Sequence, residues 1–126
     1  MGGNLRMFKR RALMGVFLGA LAALTYAGTP DSLEERKIEY LIASIENLQN
    51  AQFIRNGTAY EAKTAADHLR MKRQKAGSRV TTAEEFIRLC ASVSSASGAP
   101  YEIRFSDGRV VTSEVFLRDR LEEYGR

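Results

Sequence analysis

One histidine, one cysteine and four clustered serines are the residues of this chain best suited to covalent chemistry. They are His68, Cys90 and the serines of "ASVSSASGAPY", Ser92, Ser94, Ser95 and Ser97. A serine nucleophile needs a base within hydrogen-bond reach and a group that orients the base. With a single imidazole in the chain, a small serine-type hydrolase would have to pair His68 with a serine of 92–97. Asp67 is adjacent in sequence but points about 100° away on a helix, which makes it a poor orienter. Lys72 offers a Ser/Lys pairing instead. The G-x-S-x-G elbow of the α/β-hydrolases is missing. No catalytic residue is assigned on this basis, and hydrolysis is kept as the alternative function.

Metal and cofactor chemistry has less support. One histidine and one cysteine give no ligand-spaced cluster, and no glycine loop of the phosphate-cradling kind occurs. No metal or cofactor is expected. The acidic pairs Glu34/Glu35, Glu84/Glu85 and Glu122/Glu123 fall at expected helix termini, where charge and capping account for them.

Binding chemistry is the better reading. Arg55 and Asn56 stand at one helix junction, His68 and Lys72 are i, i+4 neighbours, and the serine run offers hydroxyls and backbone amides. Together, Arg55, Asn56, His68, Lys72, Ser92, Ser94, Ser95 and Ser97 would form a polar surface for an anionic or peptide-like ligand, or for an envelope protein. The competing reading is that each feature caps its own backbone. The serine run, with few charges and a Gly98–Pro100 exit, is expected to be an ordered turn docked near His68 and Lys72.

The elements that must position these groups follow from periodicity. Residues 31–57 read as one long helix with the apolar stripe Ile38, Leu41, Ile42, Ile45, Leu48, Phe53. Ser32 with Glu35, or Asp31, would start it, and Asn56-Gly57 would stop it. Residues 58–77 read as a second helix, with a Thr58/Glu61 capping box and a small inner face of Ala62, Ala65, Ala66 and Leu69. The first two helices are expected to pack as a hairpin. A third helix begins at the Thr82/Glu85 capping box, with Phe86, Cys90 and Val93 on one face. The lone cysteine is expected to be a buried small hydrophobe. Tyr101, Ile103 and Phe105 alternate with Glu102 and Arg104, and Asp107-Gly108 signals a two-residue hairpin turn. A C-terminal helix, with Ser113 as its cap, ends the chain. The fold class is α+β: three helices, a β-hairpin and a C-terminal helix in a single domain.

The N-terminus sets the compartment. Arg6, Lys9, Arg10 and Arg11 precede an apolar run, residues 12–24, and Thr25-Tyr26-Ala27 offers a small-residue cut before Gly28. This is the layout of a secretory signal peptide, short of the roughly 20 apolar residues that span a bilayer. Residues 1–27 are expected to be removed and 28–126 to be the periplasmic domain, with membrane contact only through the signal segment. An uncleaved anchor is the second choice, and the Arg10-Arg11 pair leaves twin-arginine export open beside the general route. The chain has 19 Lys+Arg against 15 Asp+Glu. Setting aside the four basic residues of the signal makes the two kinds equal, so a nucleic-acid partner is not expected.

"FIRNGTAY", "AADHLRMK", "TAEEFI", "ASVSSASGAPY", "IRFSDGRVV" and "FLRDRLEEY" occur in this order. In these stretches the chain resembles the YfeK-like family of small exported proteobacterial proteins, from about Glu34 to Tyr124. The resemblance implies a periplasmic single domain and brings no activity, cofactor or catalytic residue. The family's recurring motifs correspond here to Arg55-Asn56-Gly57, to His68-Leu69 with Lys72, and to Ser92, Ser94, Ser95, Ser97, Gly98, Pro100 and Tyr101.

Overall fold

A computed structural model describes residues 29–126, with side chains from residue 33 onward. The signal segment expected at 1–27 lies outside the described residues, and Asp31 and Ser32, expected as the cap of the first helix, fall within that helix because it begins at Thr29. Helix α1 spans Thr29–Glu46, and its expected stripe is the heart of the core. Ile38, Leu41, Ile42 and Ile45 are all buried.

The helix ends eleven residues earlier than the sequence reading placed it. Asn50 takes a positive φ of 53° and turns the chain back. Gln52–Arg55 then forms strand β1 and Thr58–Tyr60 strand β2. Asn56 and Gly57, with φ of 50° and 78°, form the tight turn between them. Asn-Gly with both φ positive is the chemistry of a two-residue hairpin turn. The same dipeptide ends helices, which is why 51–57 read as helix.

Helix α2 runs Ala62–Ala76. The Thr58/Glu61 capping box does not form: Thr58 belongs to β2, and Glu61 sits at the N-cap without a side-chain bond. Ala66 and Leu69 are buried on the inner face. A 3-10 turn, Gly77–Arg79, leads to helix α3, Ala83–Cys90. Here the expected capping box is present in full, with Thr82 and Glu85 bonded reciprocally. Glu34 of α1 also accepts from the Ala83 amide at 2.8 Å, fastening the two helix starts together.

Strand β3, Glu102–Arg104, and β4, Val110–Thr112, form the expected second hairpin. Its turn is longer than two residues. Phe105 N donates to Arg109 O at 2.8 Å, and Gly108 N to Phe105 O at 2.9 Å. Gly108 takes φ of 92°, so Ser106-Asp107-Gly108 makes a three-residue loop. Helix α4, Ser113–Glu123, closes the fold, capped by Thr112 and not by Ser113. Ser113 is buried instead.

The four strands form one antiparallel sheet in the order β2-β1-β3-β4. The lone hairpin expected from sequence is therefore the outer half of a larger sheet, which is a more stable arrangement than two strands alone. Tyr60, Phe53, Ile103 and Val111 lie in register across it. Phe53 and Ile103 are buried with Phe86, Ile87 and Leu117 from the helices. Strand alternation puts Arg55 on the same face as Phe53, and Tyr101 on the same face as Ile103. Cys90, 1% exposed, sits in this core, and burial pushes its thiol above the ordinary value against the opposing charges of Lys72, Arg79 and Arg73.

Among the described residues, no helix is long and apolar enough to cross a membrane.

Candidate functional site

The site is assembled where the end of β1, the middle of α2 and the approach to β3 meet. β1 ends on Arg55, and the β1–β3 register runs Phe53↔Ile103, Ile54↔Glu102. One step further along this register sets Arg55 opposite Tyr101. Helix α2 lies over this corner and presents His68 and Lys72 one turn apart.

Their polar atoms are connected. Lys72 Nζ donates to Tyr101 Oη at 3.1 Å and lies 5.1 Å from the centre of its ring. Tyr101 Oη is 3.3 Å from His68 Nε2. An ammonium has only protons to give, so the tyrosine hydroxyl accepts from Lys72, while the direction of its contact with Nε2 is set by the histidine tautomer. Arg55 Nη1 approaches the same ring, 3.3 Å from Nδ1 and 3.4 Å from Nε2. Burial, followed by the positive charges of Arg55, Lys72 and Lys75, holds His68 below the ordinary histidine value of 6.5. The imidazole is therefore neutral at pH 7.

The serine run is an ordered turn. Ser94 N donates to Ala99 O at 2.9 Å and Gly98 N to Ser94 O at 2.8 Å. A bridge between Val93 and Pro100 closes its neck, and Gly98 supplies the positive φ, 76°. Asn56 ties this turn to the first hairpin: its Nδ2 donates to Ser94 Oγ at 3.1 Å, and its Oδ1 accepts from Ser97 Oγ. Lys72 Nζ adds a bond to Val93 O at 3.2 Å. The side chains of 92–94 face the opposite way to the helical expectation. Helix α3 stops at Cys90, so Val93 is exposed at 42% while Ser92 and Ser94 are buried.

Of the expected residues, Arg55, His68, Lys72, Ser94 and Ser95 line one cleft of about 500 Å³. Asn56 and Ser97 brace its rim. Ser92 does not join: its hydroxyl donates to Ile87 O at 2.6 Å and finishes helix α3. Sequence reasoning missed Lys75 and Arg79, which also line the cleft. The signal was their spacing, one and two turns beyond Lys72 on the same flank of the chain. Tyr101 was read as one of the alternating residues of the second hairpin, and its ring is buried, but its hydroxyl reaches the cleft. Met71 and Leu89 supply exposed apolar contact there.

The electrostatics of the cleft are one-sided. Arg55, Lys72, Lys75 and Arg79 line it, and no acidic residue does. None of these four forms an ion pair among the described residues. Such a cleft can hold an anion through charge-assisted hydrogen bonds from guanidinium and ammonium groups, supplemented by the hydroxyls of Ser95 and Tyr101. Burial and then the neighbouring cations disfavour protonation of His68, and no serine hydroxyl bonds its ring among the described residues. Groups of three or more His, Cys, Asp or Glu that could cage a metal are likewise absent among the described residues.

The chain belongs to the Family of unknown function (DUF5329), whose family model matches residues 32–125. It is also similar to the uncharacterised protein YfeK of Salmonella typhimurium, with 38% identity over 68 residues. That match covers 54% of this chain and 57% of YfeK, so it spans little more than half the length of that relative. Both findings agree with the YfeK-like resemblance carried by the sequence motifs. No solved structure matches the chain.

Proposed function

We propose that this chain is an exported binding module, a single α+β domain over 28–126 that holds an anionic ligand in the cleft between α2 and the serine turn. The observation that carries the reading is the set of four cations, Arg55, Lys72, Lys75 and Arg79, around a cleft lined by no carboxylate. Gathering like charges costs free energy through mutual repulsion, and a bound anion would offset that cost. The Lys72–Tyr101–His68 chain fixes the orientation of the groups before a ligand arrives, which lowers the ordering cost of binding. Ser94, held by Asn56, keeps the turn at the distance that leaves the cleft open.

Calorimetric titration with inorganic phosphate and pyrophosphate at low salt tests this reading. Binding should weaken as salt rises and should be lost in the Lys72→Ala/Lys75→Ala double variant. Absence of binding by both anions, or binding indifferent to that double substitution, would overturn it. Export is tested separately by N-terminal sequencing of the protein recovered from the periplasmic fraction. A start at Gly28 supports it, and a full-length cytoplasmic product rejects it.

A further inference from the structure

We infer that the basic cleft is half of a bipartite site whose ligand carries a compact apolar group beside its anionic group. This inference rests on the anion-binding reading and extends it to the class of ligand.

A second cavity, of about 110 Å³, lies next to the cleft. Phe53, Tyr60, Ala65 and Leu69 form its apolar wall, with Thr64 also lining it. Arg55, His68 and Tyr101 line both cavities. The two spaces therefore adjoin at the same three side chains whose polar atoms are bonded together. Along α2 the lining passes from Thr64 and Ala65, through His68, to Lys72 and Lys75. At about 1.5 Å of rise per residue, the apolar end at Ala65 and the basic end at Lys72 are roughly 10 Å apart. One short ligand can reach both.

Charge sets its direction. Glu102 lines the apolar cavity, whereas the basic cleft holds no acid. In the apolar cavity Glu102 offsets Arg55, so an anionic group gains little there and is drawn to the four cations of the cleft. Size sets the apolar group. Cavities on the order of 150 Å³ admit a benzene ring, so about 110 Å³ suits a branched aliphatic group or a single ring partly held in the mouth. A long acyl chain does not fit. Two sources share this chemistry: a small free acid with one ring or branched group, and the C-terminal carboxylate of a peptide ending in an apolar residue.

The full chain is titrated with inorganic phosphate, phenyl phosphate, acetyl-Ala-Phe and acetyl-Ala-Phe amide, with side-chain resonances followed by NMR. Phenyl phosphate should bind roughly tenfold or more tighter than inorganic phosphate, the scale on which apolar pockets discriminate. It should shift the resonances of Phe53 and Leu69, and inorganic phosphate should not. Thr64→Phe, at an exposed helix position, should cover the cavity mouth and abolish the advantage of the phenyl group without altering phosphate binding. Tighter binding of acetyl-Ala-Phe than of either phosphate, lost in its amide, assigns the site to peptide C-termini; the reverse order assigns it to small acids.

Equal affinity for the two phosphates, still dependent on Lys72 and Lys75, overturns the bipartite site and leaves the anion reading standing. An advantage for phenyl phosphate without shifts at Phe53 and Leu69 also overturns it, and this readout does not depend on the variant folding. Failure of every anion to bind overturns both.

Discussion

Helix α2 carries two sets of cations with opposite surroundings. On one flank, Arg73 pairs with Glu35 and Glu39 of α1, and Arg70 pairs with Glu46 of α1 and with Asp67. On the other, Lys72 and Lys75 face a cleft with Arg55 and Arg79 and have no carboxylate partner among the described residues. These four cations fall within six residues, near the negative end of the helix dipole, so the dipole favours both sets alike. The difference lies in what the fold places opposite. Acidic residues recur along α1 where it faces Arg70 and Arg73. The elements facing Lys72 and Lys75 present hydroxyls, a tyrosine and more positive charge. One flank is fastened internally, and the other is left with unspent binding capacity.

The comparison breaks most visibly if the open flank is reversed in charge. Lys72→Glu/Lys75→Glu is expected to lower phosphate affinity by about 100-fold or more, from two charge-assisted contacts worth roughly 1.5–3 kcal/mol each. Calorimetry reads the change directly. A loss below about threefold would place the anion elsewhere.

Stability should show the opposite pattern. Arg73→Ala removes two acidic partners from a largely covered guanidinium and is expected to cost about 1 kcal/mol in urea unfolding, the upper range for such pairs. Lys75→Ala, at an exposed position with no side-chain partner among the described residues, should stay within about 0.5 kcal/mol. Similar losses from the two variants would erase the distinction between the flanks.

Ser94→Ala sharpens the account of the turn. It deletes a buried hydroxyl that accepts from Asn56 Nδ2 and from the Ala96 amide. About 1 kcal/mol of stability should be lost, with a weaker effect on anion affinity than the lysine variants have. Unchanged stability would mean that the turn holds its shape without this bond.

The smallest effect concerns pH. His68 is held below 6.5 in the folded protein, so between that lowered value and 6.5 the unfolded chain binds the extra proton and the folded one does not. Stability from this group is complete above about pH 6.5 and declines as pH falls through the window. His68→Gln should remove this part of the slope in unfolding curves taken from pH 7.5 to 5. An identical slope in the variant would assign the pH dependence to other groups.

The α1 stripe from Ile38 to Ile45, the Thr82/Glu85 capping box and the alternation at 101–105 were legible because each pattern spans a full period, and the capping box also marks its own boundary. The first hairpin was not. Its strands have four and three residues, too few for alternation to outweigh the helical stripe that runs into Phe53. Asn56-Gly57 fits a helix stop as well as a hairpin turn, and only the tertiary pairing of β1 with β3 decides between them. The convergence of Arg55, His68, Lys72 and the serine turn was expected from their unmet hydrogen-bonding needs. The division of the α2 cations was half legible. Positions 70 and 73 lie on a different flank from 72 and 75 by helical geometry, but which flank meets acid depends on how α1 packs, and no local pattern encodes that.

The most direct measurement compares phosphate affinity and unfolding free energy in three proteins: the native chain, Lys72→Ala/Lys75→Ala and Arg70→Ala/Arg73→Ala. The expected result is that the lysine pair loses phosphate binding and stays folded, its stability cost limited to about 1 kcal/mol from the Lys72 bonds to Tyr101 and Val93, while the arginine pair loses stability and keeps its phosphate affinity. Equal loss of affinity in both variants would reduce the cleft to general surface charge, and no phosphate binding in the native chain would contradict the assignment outright.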